Sequence, residues 1–536
     1  MRYFNTTGPV NCQKHYCLPP LERFDLDEII HLIQQEKYFV LHAPRQTGKT
    51  SYLLALMDYL NQTGEYHCLY INVESAQAAR EDFGKAMTII FDQLVSNSLI
   101  FLQDSFLSDH KSQLLENAPG SLFNIALTQW SQASSKPIVL LIDEIDTLIG
   151  DTLISILRQL RSSYPTRPQF FPSSVILCGV RDVRDYRMHS DDGKPLVTGG
   201  SAFNIKAASL RMSNFTQAQV ETLYQQHTAE TGQIFEERTL HWVWDLTRGQ
   251  PWLVNALAHE VTFQIKANRD RSRPIMAAQI EQAKENIIMR RETHLDQLVD
   301  KLKEERVRQV IEPLLTGDTT LSAIPNDHIL YVRDLGLIEI KGQIRIANRI
   351  YREVIPRELT FNTQVRIAHE TTWYVQADGR LDVPKLLAAF QQFFREHSEH
   401  WVERFDYKEA GPQLLLQSFL QRIVNPSTNS GRCSGGRVER EYGLGRKRTD
   451  LLVLWPYAAP DGEKVQRAVI ELKILYKTLE KTLAEGLQQT WEYMDKCGAA
   501  EAHLIIFDRR EKRTWDEKIF RREETFKGHP ITVWGM

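Results

Sequence analysis

The chain of 536 residues has almost no excess charge. Its 65 Lys and Arg nearly balance 68 Asp and Glu, for a net charge of −3. No global field therefore draws it to nucleic acid, and any such binding has to come from local basic patches. No apolar run approaches the roughly 18–20 residues that span a bilayer. The opening Met1-Arg2-Tyr3-Phe4-Asn5-Thr6-Thr7-Gly8 lacks the apolar core of a signal peptide. Six scattered cysteines make no disulfide framework in a chain this long, so a reducing cytoplasm without membrane contact is expected. Cys12, His15 and Cys17 lie close together, but no fourth ligand follows at finger-like spacing and no metal is expected there. There is no internal repeat and no low-complexity tract. The composition is ordinary, 42% hydrophobic and 25% charged. The length is too great for one core and points to about three or four domains.

Residues 1–24 read as a lead-in carrying Pro9, Pro19 and Pro20. Asp25 is placed to N-cap a helix over residues 26–35, with Glu28 at the capping-box position. Helical and strand signals then alternate. Tyr38-Phe39-Val40-Leu41, residues 68–73, Ile138-Val139-Leu140-Leu141-Ile142 and Val175-Ile176-Leu177-Cys178 are short apolar runs. Continuous apolar strands separated by helices predict an α/β fold, a parallel sheet covered on both faces. This region is expected over residues 25–212, followed by a helical lid over 213–274 that includes an amphipathic helix at 216–231 and another from Gln250-Pro251 to 265. Residues 275–360 read as helices and a hairpin around Lys341-Gly342-Gln343, the pattern of a winged helix. Residues 361–410 are a weakly patterned linker holding a helix at 386–395, and the stretch 411–536 forms a last α/β domain. The composition of residues 425–431 marks a loop between its first helix, 412–424, and a strand-rich region.

Two chemical signatures stand about 400 residues apart. The first is Ala43-Pro44-Arg45-Gln46-Thr47-Gly48-Lys49-Thr50, followed by Ser51. A glycine-rich turn from strand to helix exposes backbone N–H groups, and the helix N-terminus adds positive potential for phosphate. Lys49 would reach the β- and γ-phosphates of ATP, and the Thr50 hydroxyl would ligate Mg²⁺. Ala43 replaces the first glycine of the full pattern, and Pro44 presses it toward an extended conformation that alanine tolerates. The second half of the site is Asp143-Glu144 at the end of an apolar strand. Asp143 would hold Mg²⁺ through water and Glu144 would orient or activate the attacking water. Arg181, after the 175–179 strand, is either a sensor of the γ-phosphate or a surface arginine. Arg158 and Arg161 are either fingers for a neighbouring subunit or a solvated face.

The stretch from Ala43 to about Leu257 resembles P-loop ATPases of the AAA-like branch that includes origin-recognition and STAND switch proteins. By that resemblance Gly249-Gln250-Pro251 is the lid element that contacts the nucleotide base, through Pro251. The resemblance also implies a winged helix after the lid. It further implies that ATP switches conformation or drives self-association.

The second signature is Asp450 with Glu471-Leu472-Lys473. Hydrolysis of a phosphodiester needs a metal to activate water and neutralise charge, and Mg²⁺ prefers clustered carboxylates. Glu471 and Lys473, two apart on a strand, share a face. Asp450 and Glu471 can then share a metal while Lys473 positions the nucleophile or stabilises charge. Residues 456–466 between the two strands read as a polar hairpin connection. The order of elements and this residue set resemble the PD-(D/E)XK nuclease superfamily, and Gln489 and Tyr493 resemble the glutamine–tyrosine pair of its RecB-like branch. Glu441 is either a further acid or an exposed strand glutamate. Arg437, Arg440, Arg446, Lys447 and Arg448 could neutralise phosphates or form a solvated face.

The whole chain looks like a family of bacterial AAA-like ATPases fused to such a domain, an architecture associated with defence against foreign DNA. The expected function is an ATP-hydrolysing switch that controls a nuclease using Mg²⁺ or Mn²⁺. DNA is the expected substrate, RNA stays open, and self-association is expected. The alternative is an ATP-regulated switch that binds nucleic acid or a partner through an inactive nuclease fold.

Overall fold

The structure, a computed structural model, describes residues 2–80, 82–148, 150–182, 187–188, 197–198, 204–290, 292–316, 321, 324–359, 374–404, 415–417, 419–421, 424, 436–444, 447–459, 462–475, 478–508, 510 and 513–536. The side chains of residues 440–444 and 447–450 fall outside this set. The described residues form two compact units: Met1–Leu298 with Pro325–Tyr351, and Val299–Ile324 with Arg352–Met536.

The first unit is built on five parallel strands. They are β1 (Tyr38–His42), β2 (His67–Asn72), β3 (Ile138–Asp143), β4 (Ser174–Gly179) and β5 (Lys206–Arg211), in the spatial order β2-β3-β4-β1-β5. Both β3 and β4 are buried along their whole length, which is why their sequences are unbroken apolar runs and not alternating ones. Val40, Ile71, Leu140 and Leu177 face one core with the helices Phe83–Asn97, Pro119–Ala133 and Gly150–Ser162. Leu41, Cys68, Leu141 and Ile176 face the other with α1 (Leu26–Gln34) and α2 (Lys49–Thr63). The Asp25 carboxylate caps α1 by accepting from the Glu28 N–H at 3.2 Å. The fifth strand, Lys-Ala-Ala-Ser-Leu-Arg, lies at the sheet edge with only partial burial, and so carries no apolar run to announce it.

One segment corrects the sequence reading. Phe83–Leu102 is a single helical run long and apolar enough to cross a membrane by length and composition. Ala86, Met87, Ile90, Phe91, Leu94 and Val95 are buried in the core beside the sheet, whereas Leu99, Ile100 and Phe101 at its end are exposed.

Beyond the sheet come α3 (Gln217–Thr231), α4 (Glu237–Thr247) and α5 (Pro251–His259). Thr216 and Gln219 form a reciprocal capping box at the start of α3. The expected hairpin is present as β6 (Ile338–Lys341) and β7 (Gln343–Ile346), turning at Gly342 with φ +73°.

The second unit carries a mixed six-stranded sheet. Its strands are β8 (Arg437–Leu444), β9 (Lys447–Ala459), β10 (Gly462–Ile474), β11 (Glu501–Phe507), β12 (Phe520–Phe526) and β13 (His529–Gly535). The order is β8-β9-β10-β11-β13-β12. β9 runs antiparallel to both β8 and β10, whereas β10 with β11 and β11 with β13 are parallel. The crossover from β10 to β11 is α7 (Leu479–Cys497).

Two sequence expectations change here. The connection between β9 and β10 is shorter than residues 456–466, because pairing continues to Ala459↔Gly462 and Pro456 lies within the strand. The stretch read as a linker carries α6 (Val383–Arg404), whose Leu386, Leu387, Phe390 and Phe394 join the core with Leu451, Val453, Ile470 and Phe507. The loop 425–431 lies outside the described residues.

Leu140 lies in the middle of β3 and is fully buried. Leu140→Ala should therefore cost the first unit about 2–5 kcal/mol, read as an earlier unfolding transition in a denaturant titration.

Candidate functional site

The loop after β1 turns through two residues of positive φ, Gln46 at 57° and Gly48 at 100°, and Gly48 caps α2. The Ala43 N–H donates to the Gly179 carbonyl at 3.2 Å, fixing the loop's start to β4. The Thr47 hydroxyl donates to the Pro44 carbonyl at 2.8 Å, closing the loop on itself. Lys49 is 6% exposed although it is an ammonium. Its Nζ donates to the Ala43 and Pro44 carbonyls at 3.0 and 3.1 Å, so loop oxygens compensate the buried charge. Arg45 is exposed.

The acids of β3 meet this loop. The Thr50 hydroxyl donates to Asp143 Oδ2 at 2.7 Å, and the Tyr70 hydroxyl donates to the same oxygen at 3.1 Å. Asp143 Oδ1 accepts the N–H of Glu144 at 3.0 Å. Thr50 and Asp143 therefore present two oxygens at one point, the donor set a hard divalent cation prefers. Glu144 adopts a left-handed backbone, φ 57° and ψ 37°, a conformation that costs a non-glycine residue energy. Burial pushes its carboxyl above the ordinary glutamate value; Asp146 and Asp143 add to this, while Lys49 and Arg45 oppose it. A carboxylate poised upward beside a phosphate loop suits a group that handles a proton or orients water.

Arg181 lies 4.7 Å from the ring of Tyr331 in a cation–π contact. Arg158 and Arg161 are exposed on the helix Gly150–Ser162.

A cavity of about 150 Å³ adjoins the back of the loop. Gln46, Thr47, Gly48 and Ser51 form one wall and Phe215, Pro251, Trp252 and Asn255 another, while lead-in residues 5–8 and Val10 form a third. Pro251 opens α5, and the preceding Gly249 has φ +71°. A Cβ on Gly249 would lie 2.0 Å from the Phe215 carbonyl oxygen, so only glycine lets this turn approach Phe215 and close the wall.

Arg23 was missed by sequence reasoning. It lines the cavity, donates to the Thr47 carbonyl at 3.1 Å and to the Ser213 carbonyl, and stacks 4.5 Å from the Phe215 ring. Burial lowers its guanidinium to about 10. A lone arginine in a proline-rich lead-in carries no sequence signal for such a position. The lead-in itself is anchored, since Phe4 and Tyr16 are both buried beside Tyr224 and His227 of α3.

Cys12 and Cys17, five residues apart, form a disulfide, a pairing the sequence reading did not expect. His15 uses both ring nitrogens, Nδ1 accepting from the Asn11 N–H and Nε2 bonding the Tyr3 hydroxyl, each at 3.0 Å.

In the second unit Lys473 Nζ stands 2.5 Å from Glu471 Oε1, and Glu471 is nearly buried. The β9–β10 register pairs Leu451 with Ile470, which places backbone position 450 next to 471. The β8–β9 register pairs Arg440 with Leu451 and Tyr442 with Thr449, which sets position 441 against 450. Tyr493 is buried among Leu452, Val469 and Leu504 on the sheet face covered by α7, and Gln489 lies one turn before it, half-buried. Arg437 pairs with Glu439 at 2.7 Å. The side chains of Asp450, Glu441, Arg440, Lys447 and Arg448, and all of Arg446, lie outside the described residues.

The first unit thus has a P-loop NTPase-like parallel sheet with helices, and the second a separate mixed sheet. Residues 20–355 match the AAA-like domain family, and the chain belongs to it. No curated protein matches the chain in sequence. Among solved structures, the Walker-type ATPase PABY2304 of Pyrococcus abyssi is 16% identical with a TM-score of 0.45, over 66% of this chain and 99% of that one. Cdc6p of Pyrobaculum aerophilum is 13% identical with a TM-score of 0.34, over 64% and 93%. The RuvB Holliday junction branch migration motor of Thermotoga maritima is 11% identical with a TM-score of 0.31, over 62% and 96%. The P-loop ATPase fold implies a bound nucleotide, typically with Mg²⁺.

The raised carboxyl of Glu144 gives a pH-dependent outcome. In the unfolded chain a glutamate titrates near about 4.3, and in the fold it titrates higher. Ionising it therefore costs stability, and the cost grows as pH rises from the unfolded value through the folded one. Glu144→Gln should raise the melting temperature of the first unit at pH 7.5, and the gain should vanish near pH 4.

Proposed function

We propose that the chain is an ATP-binding and ATP-hydrolysing switch that controls a Mg²⁺-dependent nuclease in its second unit, with DNA as the substrate. The observation that carries the ATPase half is the meeting of Lys49, Thr50, Asp143 and Glu144 at one end of the parallel sheet. The loop's N–H groups and the α2 N-terminus hold the phosphates. Lys49 leaves its loop carbonyls for the β- and γ-phosphate oxygens. Thr50 and Asp143 would hold Mg²⁺, which would supply charge neutralisation at the phosphates. Glu144 orients the attacking water and takes its proton. Pro251, Trp252 and Phe215 enclose the base in the cavity, and Arg181 is held for a sensing role near Tyr331.

The nuclease half is supported by topology. An antiparallel meander, a crossover helix and a parallel strand follow one another in the second unit. Positions 441, 450 and 471 come level across three neighbouring strands, and Lys473 pairs with Glu471. Asp450 and Glu471 would share the metal, Lys473 would hold the nucleophile, and Gln489 and Tyr493 would support the site from α7. The winged-helix reading of residues 275–360, self-association and a cytoplasmic setting belong to the same proposal. A place in defence against foreign DNA rests on the resemblance of architecture.

Two measurements test it. Lys49→Ala should abolish nucleotide binding, whereas Glu144→Gln should keep binding and lower ATP hydrolysis by about a hundredfold. Loss of binding in Glu144→Gln would remove the role given to that residue.

Linear, circular and single-stranded DNA, and RNA, should then be incubated with the protein in Mg²⁺ or Mn²⁺, with and without ATP. Cutting of DNA should disappear in Glu471→Ala and Asp450→Ala and should depend on ATP. DNA binding with no cutting under any condition would establish the non-cutting switch instead.

A further inference from the structure

The lead-in is a strap across the nucleotide cavity, and it is cross-linked. Its first anchor is Phe4, whose ring packs 4.8 Å from Tyr16 and 5.4 Å from Tyr224. From there residues 5–8 and Val10 run along the cavity. The Thr6 carbonyl accepts from Trp252 Nε1 at 2.9 Å, and the Val10 N–H donates to Ser51 Oγ at 3.0 Å. The strap thereby touches the lid through Trp252 and the phosphate-loop helix through Ser51. It then turns back at residues 11–16 and returns to the cavity wall at Cys17. Gln226 of α3 grips the Cys17 backbone on both sides, at 3.1 and 2.7 Å. Cys12, the partner of Cys17, is exposed.

We propose that the Cys12–Cys17 disulfide is a redox latch on the nucleotide cavity: the oxidised strap retains nucleotide, and reduction releases it. The inference rests on the reading of this cavity as the nucleotide site. With the bond formed, Cys12 is tied to a residue that the lid holds fast. The stretch between the Phe4 anchor and Cys12 is then short and fixed at both ends, and it lies over the cavity. With the bond broken, this side is held by hydrogen bonds alone, among them Val10 to Ser51, Asn11 to His15 and the backbone bonds of the turn.

The chemistry balances with a dithiol as co-reactant. One thiolate of the reductant attacks the exposed Cys12 sulfur, the Cys12–Cys17 bond breaks, and Cys17 leaves as a thiolate that takes up a proton. The second thiolate of the reductant then displaces Cys12 and forms the reductant's disulfide. Two electrons and two protons pass to the protein. In a reducing compartment the latch stands open, so closure reports an oxidising shift, the use that disulfides find where thiols are normally reduced.

The test uses the full chain, oxidised in air or reduced with dithiothreitol, and measures ADP binding by calorimetry. The denatured oxidised protein should show two fewer free thiols than the reduced one. Reduction should weaken ADP binding about tenfold, since closing a short loop removes that order of freedom from the open strap. Cys12→Ser with Cys17→Ser should bind like the reduced protein and ignore the reductant. Equal affinity in the two states, or an oxidised protein with all its thiols free, overturns the latch and leaves the nucleotide site standing. A reductant effect that persists in the double variant places the sensitivity elsewhere and also overturns it. No ADP binding in either state removes the nucleotide reading, and the latch with it.

Discussion

The hydrogen bond from Thr50 to Asp143, 2.7 Å long, joins the first turn of α2, which follows β1, to the end of β3, a strand that is not a neighbour of β1. β4 lies between β1 and β3 in the sheet. The bond exists because of register. His42 is level with Gly179, and Ile142 is level with Leu177, so β1, β3 and β4 finish along one edge. The phosphate loop then needs only one reversal to bring α2 back over Asp143. A slip of one residue would exchange Val40, Leu140 and Leu177 for Leu41, Leu141 and Ile176 between the two cores, and since both cores are apolar the fit of side chains within each, not burial alone, distinguishes the two registers.

The same edge explains the electrostatics of the site. An ammonium and three acids, Asp143, Glu144 and Asp146, are drawn into a layer that is buried or half-buried. Lys49 finds carbonyls, and Asp143 accepts from Thr50, Tyr70 and the Glu144 N–H. Asp146 accepts the Val180 N–H at 3.1 Å. Glu144 is the acid whose carboxyl burial pushes upward. The division of labour between adjacent carboxylates follows from which of them the backbone has satisfied.

Much of this was legible in the residues, because the parallel sheet writes itself as continuous apolar runs. β1 to β4, the loop at Ala43–Thr50 and the acids after β3 all fall where those runs predict. Two of the elements that escaped are edge strands. β5 has the sequence Lys-Ala-Ala-Ser-Leu-Arg, and β12 has Phe-Arg-Arg-Glu-Glu-Thr-Phe with every second residue exposed. Strands with one open edge need no apolar run and carry charge to avoid pairing further. The lead-in escaped for a different reason. Phe4, Tyr16 and Arg23 act through contacts with residues about 200 positions away, and no local period records such contacts. α6 hid its depth because its apolar face alternates with Gln, Arg, Glu and His.

The covalent order interleaves the two units. Residues 325–351 belong to the first unit, but the residues on both sides of them belong to the second. Within the first unit this segment rests on the nucleotide loop. A Cβ on Gly336, which has φ +80°, would lie 2.7 Å from Pro44. The Arg333 carbonyl accepts from Arg211 at 3.1 Å, and Tyr331 carries Arg181. Asp334 is buried at the same place, and its charge acts on His42 at the end of β1. A change in the loop that moved Pro44 would therefore meet Gly336 first.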